Sequence, residues 1–556
     1  MKRLAFALCL ATCLASAPFS AAAEQWLLHN GRIATLDSAL PFAQAILIDG
    51  DQIAGVGDVL SLRAQAGPQA RVIDLGGRLV IPGLIDSHMH AIRAGLTFAQ
   101  DVNWTDVPSL EEALARMADV AARRPQDAWI VVPGGWNAQQ FREKRLPTQA
   151  EIEQAAGGRP VYVQMSYAGV LLSQRGFALL GLTSEDDLPG AARFERDPQG
   201  QMTGWVLGDL GSIVALYDRL PKPSLEEAKR GTRAFFSELH RYGVTGVSDP
   251  GGHNLALHQY AAVQDLAREG ALTMRVRYSL CAPRPGQELL DFQALTQNLP
   301  MFAGDDWLRF NGIGECVTWG LYNNDKPSAE QLQQFEEVAL WAARAGLGLT
   351  VHWNNEASIH HVLDAFAHVR AQEDYAPLRW SIAHIHDAKP QTLARMKELQ
   401  LGWLMQNRLY FAAPAFLANY EAARLSQMPP LVQARSMGVV VGGGTDADRV
   451  MSYNPFVALR WMLDGRSLSG LETRGLDERP SREEALRIWT QGSAWFSHEE
   501  TRRGILKAGA LADLAVLSGD FFSIPLEDMA HLRAELTFVG GRIVHAGGDF
   551  APLSSQ

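Results

Sequence analysis

Five residues that ligate metals well stand at equivalent places in this 556-residue chain. His88 and His90 close Val80-Ile81-Pro82-Gly83-Leu84-Ile85-Asp86-Ser87-His88-Met89-His90, an apolar strand pattern whose last residues carry two imidazoles. Residues two apart on a strand point the same way, so one ion can take both. His352 ends Leu347-Gly348-Leu349-Thr350-Val351-His352, His384 ends Trp380-Ser381-Ile382-Ala383-His384, and Asp446 follows Val439-Val440-Val441-Gly442-Gly443-Gly444-Thr445. Singly, each has an ordinary explanation: a histidine is often a satisfied core or surface residue, and an aspartate there can be a helix N-cap. As a set, four imidazoles and a carboxylate suit a divalent first-row ion, zinc foremost, with one or two ions held. Such an ion lowers the pKa of a bound water from about 15.7 to roughly 7, which makes hydroxide available to a polarised carbonyl. With Asp446 as the group that moves the proton, the expected chemistry is hydrolysis of an amide, a cyclic amide or an ester.

The elements that must position this set alternate helix and strand. Ser109-Leu110-Glu111-Glu112, Ser224-Leu225-Glu226-Glu227 and Ser328-Ala329-Glu330-Gln331 predict three capping boxes, each opening a helix. Gly243 and Gly346 close the second and third helices and run straight into strands. Repeated βα units predict a parallel sheet covered by helices, and in a βα barrel such strand ends converge on one mouth. Residues 97–234 are too long for one unit and read as an insertion capping one end of the sheet. The two chain ends are strand-like. Ala45–Ile48 and Gln52–Val56 flank an Asp49-Gly50 turn, and Leu511–Leu517, Leu536–Val539 and Arg542–His545 repeat the pattern. Neither end is long enough for a stable sheet, so together they are expected to form one small β domain.

Composition bounds the class. With 47% hydrophobic and 20% charged residues the chain is globular, neither fibrous nor disordered. Met1-Lys2-Arg3, the apolar Leu4–Ala17 and Ser20-Ala21-Ala22-Ala23 have the three parts of a secretory signal, so residues 1–23 are expected to leave after Ala23 and the mature protein to be exported, periplasmic or secreted. No later run is apolar enough to span a bilayer. The formal net charge is −11, and loss of Lys2 and Arg3 makes it two units more negative. That acidity, with no basic stripe, argues against a nucleic-acid partner. Cys9 and Cys13 leave with the leader; Cys281 and Cys316 are too few for a disulfide scaffold.

Ile81-Pro82-Gly83-Leu84-Ile85-Asp86-Ser87-His88-Met89-His90 resembles the opening motif of the amidohydrolase superfamily, and the likeness covers nearly the whole mature chain. Gly134-Gly135-Trp136-Asn137, Gly243-Val244-Thr245-Gly246-Val247-Ser248-Asp249 and Gly509-Ala510-Leu511-Ala512-Asp513-Leu514-Ala515-Val516-Leu517 are similar to the branch that contains N-substituted formamide deformylases. The resemblance implies a (β/α)8 TIM barrel over 81–503 with the large insertion, and a composite β-sandwich from both chain ends, 24–80 and 504–556. It implies a mono- or binuclear metal centre in which His88 and His90 hold the first ion and His352 and His384 the second. Asp446 would bind the first ion and shuttle protons. Many relatives place a lysine, often carbamylated, at the bridging position, whereas this chain has Gly312-Ile313-Gly314-Glu315-Cys316-Val317. Glu315 can bridge two ions with its two oxygens or, beside a single ion, only hydrogen-bond.

Trp136, Trp353 and His386 are the residues expected to touch substrate, while His253, His360 and His361 have no strand-end context. Cys316, next to Glu315 on a strand, should face the other way. The expected protein is an exported metal-dependent hydrolase cleaving a C–N bond of a small organic substrate, without a membrane or nucleic acid, with a homo-oligomer left open. An esterase, lactonase or isomerase on the same centre and a catalytically silent binding protein are the alternatives. A metal oxygenase is disfavoured, because a two-histidine, one-carboxylate centre leaves two of the histidines idle.

Overall fold

Eight strands carry the βα pattern: β1 Leu84–Asp86, β2 Val244–Asp249, β3 Arg275–Leu280, β4 Leu308–Ile313, β5 Thr350–Trp353, β6 Ser381–His384, β7 Gly402–Gln406 and β8 Val441–Gly444. They come from a computed structural model that describes residues 24–252, 255–322, 324–418 and 420–555; the expected leader and His253 lie outside these residues. Every pairing among the eight is parallel, in the orders β4-β3-β2-β1 and β5-β6-β7-β8. Strands such as β3, β6 and β7 are buried along their whole length, as parallel strands covered on both faces must be.

The architecture is a TIM-barrel-type α/β fold, with one difference from the expectation of a continuous eight-stranded ladder. The ladders stop at two seams. At one, the Ile313 N–H donates to Gly348 O at 2.9 Å and Ile313 bridges Leu349. At the other, the Ser87 N–H donates to Gly443 O at 2.9 Å and the Asp446 N–H to His88 O at 2.8 Å. β1, of three residues, and β8, of four, make their ladders with β2 and β7 instead. Close approach at this seam depends on glycine: a Cβ on Gly444 would lie 2.8 Å from the His88 backbone nitrogen.

Helix starts follow local chemistry. Ser224 and Ser328 form full capping boxes with Glu227 and Gln331. Ser109 caps in one direction only, accepting from the Glu112 N–H, because the Glu112 carboxylate pairs with Arg116 one turn on. The helix Leu225–His240 packs on Ala91–Thr97 and delivers the chain into β2.

Strands from the two chain ends pair with one another. Gln25–His29, Ala45–Asp49, Gln52–Gly57 and Arg71–Asp74 form one sheet, and Leu514–Leu517 pairs with Leu79–Pro82 in another, placing Val516 opposite Val80. Trp26, Ile46 and Ile48 of the first sheet share a buried core with Leu514, Val516 and Phe538 of the second. A buried ion network ties this unit to the eight strands. Arg275 on β3 holds Asp513 through two bonds of 2.7 and 3.0 Å, and Arg277 holds Glu499 through two of 2.8 and 2.7 Å. Arg503 joins the two carboxylates, 3.0 Å from Glu499 and 3.4 Å from Asp513.

The long connection before β2 carries its own five-stranded sheet, in the order Arg193–Arg196, Met202–Leu207, Gly169–Leu172, Val161–Met165, Ile130–Val132. It seats on the loop after β8. The Gly135 N–H donates to Arg449 O at 3.0 Å, and Gly134, at φ +141°, leaves no room for a Cβ, which would fall 2.2 Å from the same oxygen. The insertion therefore overhangs the end of the strands where His88, His352, His384 and Asp446 sit.

Candidate metal centre

Asp86 ties the first and last strands together before any ligand is counted. Its carboxylate accepts from the His88 N–H at 3.0 Å and from the Thr445 hydroxyl at 2.7 Å, so the turns carrying His88 and Asp446 move as one. Burial pushes the Asp86 carboxyl up to about 7 against those bonds. Two ligand candidates sit in left-handed backbone: His384 at φ +76° and Asp446 at φ +60°. Such strain persists only where the surroundings hold it, and it clusters at functional sites.

The structure brings His88, His90, Glu315, His352, His384 and Asp446 together. His88 Nε2 lies 3.4 Å from Glu315 Oε2 and 3.6 Å from Asp446 Oδ1; His90 Nε2 lies 3.5 Å from Glu315 Oε1 and 3.2 Å from Asp446 Oδ1. On the other side, His352 Nδ1 is 2.9 Å and His384 Nε2 3.7 Å from Glu315 Oε2. With bonds of 2.0–2.2 Å, neighbouring ligands on a tetrahedral ion stand about 3.3–3.6 Å apart. The contacts of His88 and His90 match that spacing better than they match hydrogen bonds. Three groups can each surround an ion: His88, His384 and Asp446; His88, His90 and Glu315; and Glu315, His352 and His384.

Ring orientation supports the fit. His90 Nδ1 lies 2.7 Å from Gly251 O, so Nδ1–H donates there and the Nε2 lone pair faces the carboxylates. His88 is fully buried, and neither of its ring nitrogens has a hydrogen-bond partner among the described residues. A buried imidazole with no partner needs a cation or a proton in that space. The electrostatics agree: burial favours the neutral ring, yet Asp446 and Glu315 raise His88 to about 10. Burial also works to raise Glu315, but His352, His384 and His88 hold its carboxyl well below the usual carboxylate range. His88 and His90 do the same for Asp446. Burial and the neighbouring His352 push His384 down to about 3.

A cavity of about 450 Å³ opens onto this cluster, a size suited to a small molecule. Trp136 contributes to its wall, though the indole is largely packed: its N–H donates to Gln164 O at 2.8 Å and its ring stacks on Phe141. Trp353 and His386 lie outside the lining, against expectation. Trp353 follows His352 on β5, so it points to the opposite face, into the core, where its N–H bonds Asn355 O. His386 is fully buried near Phe416, because the left-handed turn at His384 and Ile385 breaks the two-residue alternation. His360 and His361 begin the helix His360–Arg370, away from the cavity. Cys281 and Cys316 are free thiols, and Cys316 is buried away from the cavity lining.

Several cavity residues were not singled out by a search for metal ligands. Tyr322 stacks on His352 and places its hydroxyl 3.2 Å from Nδ1, while the Asn354 amide stands 3.1 Å from Nε2. Arg408, two residues past the end of β7, also lines the cavity. Scanning each strand end for any polar residue, rather than for metal ligands alone, would have found Asn354 and Arg408.

Imidazoles and carboxylates gathered at one end of parallel strands in a TIM-barrel-type fold define the class of metal-dependent hydrolases. The model described as "Amidohydrolase family" matches residues 71–545, and the chain belongs to that family. It is similar to the N-substituted formamide deformylase of Arthrobacter pascens, 24% identical over 93% of this chain and 97% of that protein. It is also similar to protein LONG AFTER FAR-RED 3 of Arabidopsis thaliana, 25% identical over 93% of this chain and 91% of the relative. Among solved structures, an uncharacterized metal-dependent hydrolase from Pyrococcus furiosus has the same fold, with a TM-score of 0.64 at 24% identity, covering 90% of this chain and 100% of the other.

Proposed function

We propose that this chain is an exported amidohydrolase that cleaves the C–N bond of a small amide or cyclic amide at a two-ion centre, with zinc as the metal. The observation that carries the reading is Glu315, whose Oε1 faces His90 while its Oε2 faces His88, His352 and His384, so that one carboxylate lies between the histidines of both candidate ion positions. On this reading His88, His90 and Asp446 would hold one ion, His352 and His384 the other, and Glu315 would serve both. The eight strands act as a (β/α)8 barrel over 81–503, and the terminal sheets as a composite β-sandwich from 24–80 and 504–556. Export rests on the leader pattern of residues 1–23 alone.

Bound there, the metal supplies a water acidic enough to ionise near neutral pH and polarises the scissile carbonyl. The protein does the rest. Asp446, kept ionised by His88 and His90, accepts the proton of the attacking water on its carboxylate and returns it to the departing nitrogen. The Gly251 carbonyl fixes the His90 ring, and Tyr322 and Asn354 flank His352, so the donor set is oriented before substrate arrives. The overhanging insertion supplies Trp136, Asn137 and Met165 to the cavity wall.

The test is a substrate screen on metal-depleted mature protein, residues 24–556, before and after zinc is restored. N-substituted formamides, other small amides, cyclic amides, esters and lactones are compared. Zinc-dependent turnover of amides above esters is expected. Turnover confined to esters, isomerisation without hydrolysis, or no turnover with zinc bound would each overturn the assignment.

A further inference from the structure

Arg408 is a cation for which the metal centre has no use. It stands at the start of the helix Leu409–Leu417, just past β7, and lines the same cavity as His90, Glu315, His352 and Asp446. Its side chain is open to that cavity and, among the described residues, makes no hydrogen bond or salt bridge, although it acts electrostatically on Asp446 and Tyr322. The two nearby carboxylates are already engaged, Asp446 by His88 and His90 and Glu315 by imidazoles on both sides. Carboxylates match two other buried arginines, Arg275 with Asp513 and Arg277 with Glu499, whereas Arg449 and Arg474, buried without a salt bridge among the described residues, lie over the rings of Tyr217 and Trp461. The cavity's other guanidinium, Arg93, is buried in the wall and already partnered.

A guanidinium presents a planar fork of donors that fits the two oxygens of a carboxylate. Around it the cavity offers neutral amides, Asn137 and Asn354, and apolar surface from Met165, Phe411 and Val450, with, among the described residues, no second free cation of the kind a phosphate usually recruits. A neutral ligand filling this space would strip water from Arg408 and return only hydrogen bonds to neutral acceptors, weaker than the charge-assisted pair a carboxylate makes. In a chain of net charge −11, an unpaired cation facing the reaction centre also concentrates anions where the rest of the surface repels them.

From this we infer that the substrate is an amide that also bears a carboxylate, held by Arg408 while its scissile carbonyl lies against the histidine cluster. The inference rests on the hydrolase reading above, so its test must separate the two. Zinc-loaded protein is assayed on N-formyl and N-acetyl amino acids, each beside the same compound with its carboxylate converted to a primary amide. The acid should be preferred in kcat/KM by at least about 30-fold, the lower range for losing one partner of a desolvated charge pair. Arg408→Met should bring that ratio close to one, with metal content retained. Arg408→Lys keeps the charge without the fork and should fall between; it also serves if Arg408→Met does not fold, and an unchanged ratio in it would overturn the inference. In parallel, thermal stabilisation by succinate is compared with that by succinamide, in the wild type and in Arg408→Met.

Hydrolysis without preference for the acid, or a preference that survives Arg408→Met, overturns the carboxylate inference and leaves the hydrolase standing. Stabilisation by succinate that depends on Arg408, with no probe hydrolysed, keeps the carboxylate site and sinks the hydrolase. Neither turnover nor an Arg408-dependent succinate effect overturns both.

Discussion

Glu315 stands between His90 and His352: its Oε1 is 3.5 Å from His90 Nε2, and its Oε2 is 2.9 Å from His352 Nδ1. On the proposed reading this carboxylate would take the place where relatives carry a carbamylated lysine, without a modification. Replacing it with alanine removes a donor from both ions at once. Glu315→Ala should bind about one zinc per chain or fewer, against about two in the wild type, when equilibrium binding is followed by calorimetry. Unchanged stoichiometry would remove Glu315 from the bridging position.

Asp446 is expected to do two jobs that an amide can only half perform. Asparagine keeps an oxygen for the metal but cannot take a proton. Asp446→Asn should therefore retain part of its zinc while kcat falls by about 10²–10⁴-fold, the range general acid–base catalysis supplies. A variant with full zinc and near-normal kcat would show that the proton moves by another route.

The network of Arg275, Arg277, Glu499, Arg503 and Asp513 fastens the terminal β unit to β3. Deleting one carboxylate strands buried cations rather than simply losing a contact. Burial works to raise Glu499, yet Arg503, Arg277 and Arg309 hold its carboxyl far below the usual range, so its stabilisation is present above the ordinary glutamate pKa and lost in acid. Glu499→Ala should cost about 3–5 kcal/mol at neutral pH, read as a lower urea midpoint. The double variant Glu499→Ala/Arg277→Met should recover part of that loss, because it removes one of the unpaired cations. An unshifted midpoint in the single variant would contradict this account of the junction.

His240 predicts a pH slope. It ends the helix Leu225–His240 beneath β2, with Nδ1 2.9 Å from Val244 O and Nε2 3.0 Å from Thr273 Oγ1, and burial lowers its pKa to about 4. In the unfolded chain an imidazole titrates near about 6.5. Between those two values the unfolded state holds a proton that the folded state does not. This residue's contribution is thus complete above about 6.5 and is lost as the pH falls towards 4, with a limiting slope of about 1.36 kcal/mol per pH unit. His240→Gln should be less stable at pH 7 and show a shallower decline down to pH 5 in urea melts. Parallel declines in the two proteins would mean that His240 does not titrate on unfolding.

Much of the centre was legible because strand ends are marked in sequence by where an apolar run stops. That reading located His88, His90, His352, His384 and Asp446, all of which the fold brings to one place. The same alternation rule, carried one residue further, excludes Trp353, since the neighbour of an inward His352 must face outward. His386, two residues after His384, departs from strand alternation for a different reason: His384 and Ile385 have left-handed backbone that no sequence pattern announces. Tyr322 and Asn354 matter only because of what they approach, and a lone tyrosine or asparagine carries no periodic signature. The ladder gaps at the Ile313–Gly348 and Ser87–Gly443 seams were equally hidden, because they depend on strand lengths settled by packing.

The most direct measurement is anomalous diffraction at the zinc edge from crystals of the zinc-loaded mature protein. The account predicts two peaks about 3.5–4 Å apart, one among His88, His90, Glu315 and Asp446 and the other among Glu315, His352 and His384. Zinc found only at the protein surface, with those six side chains bonded to one another and to water, would contradict it.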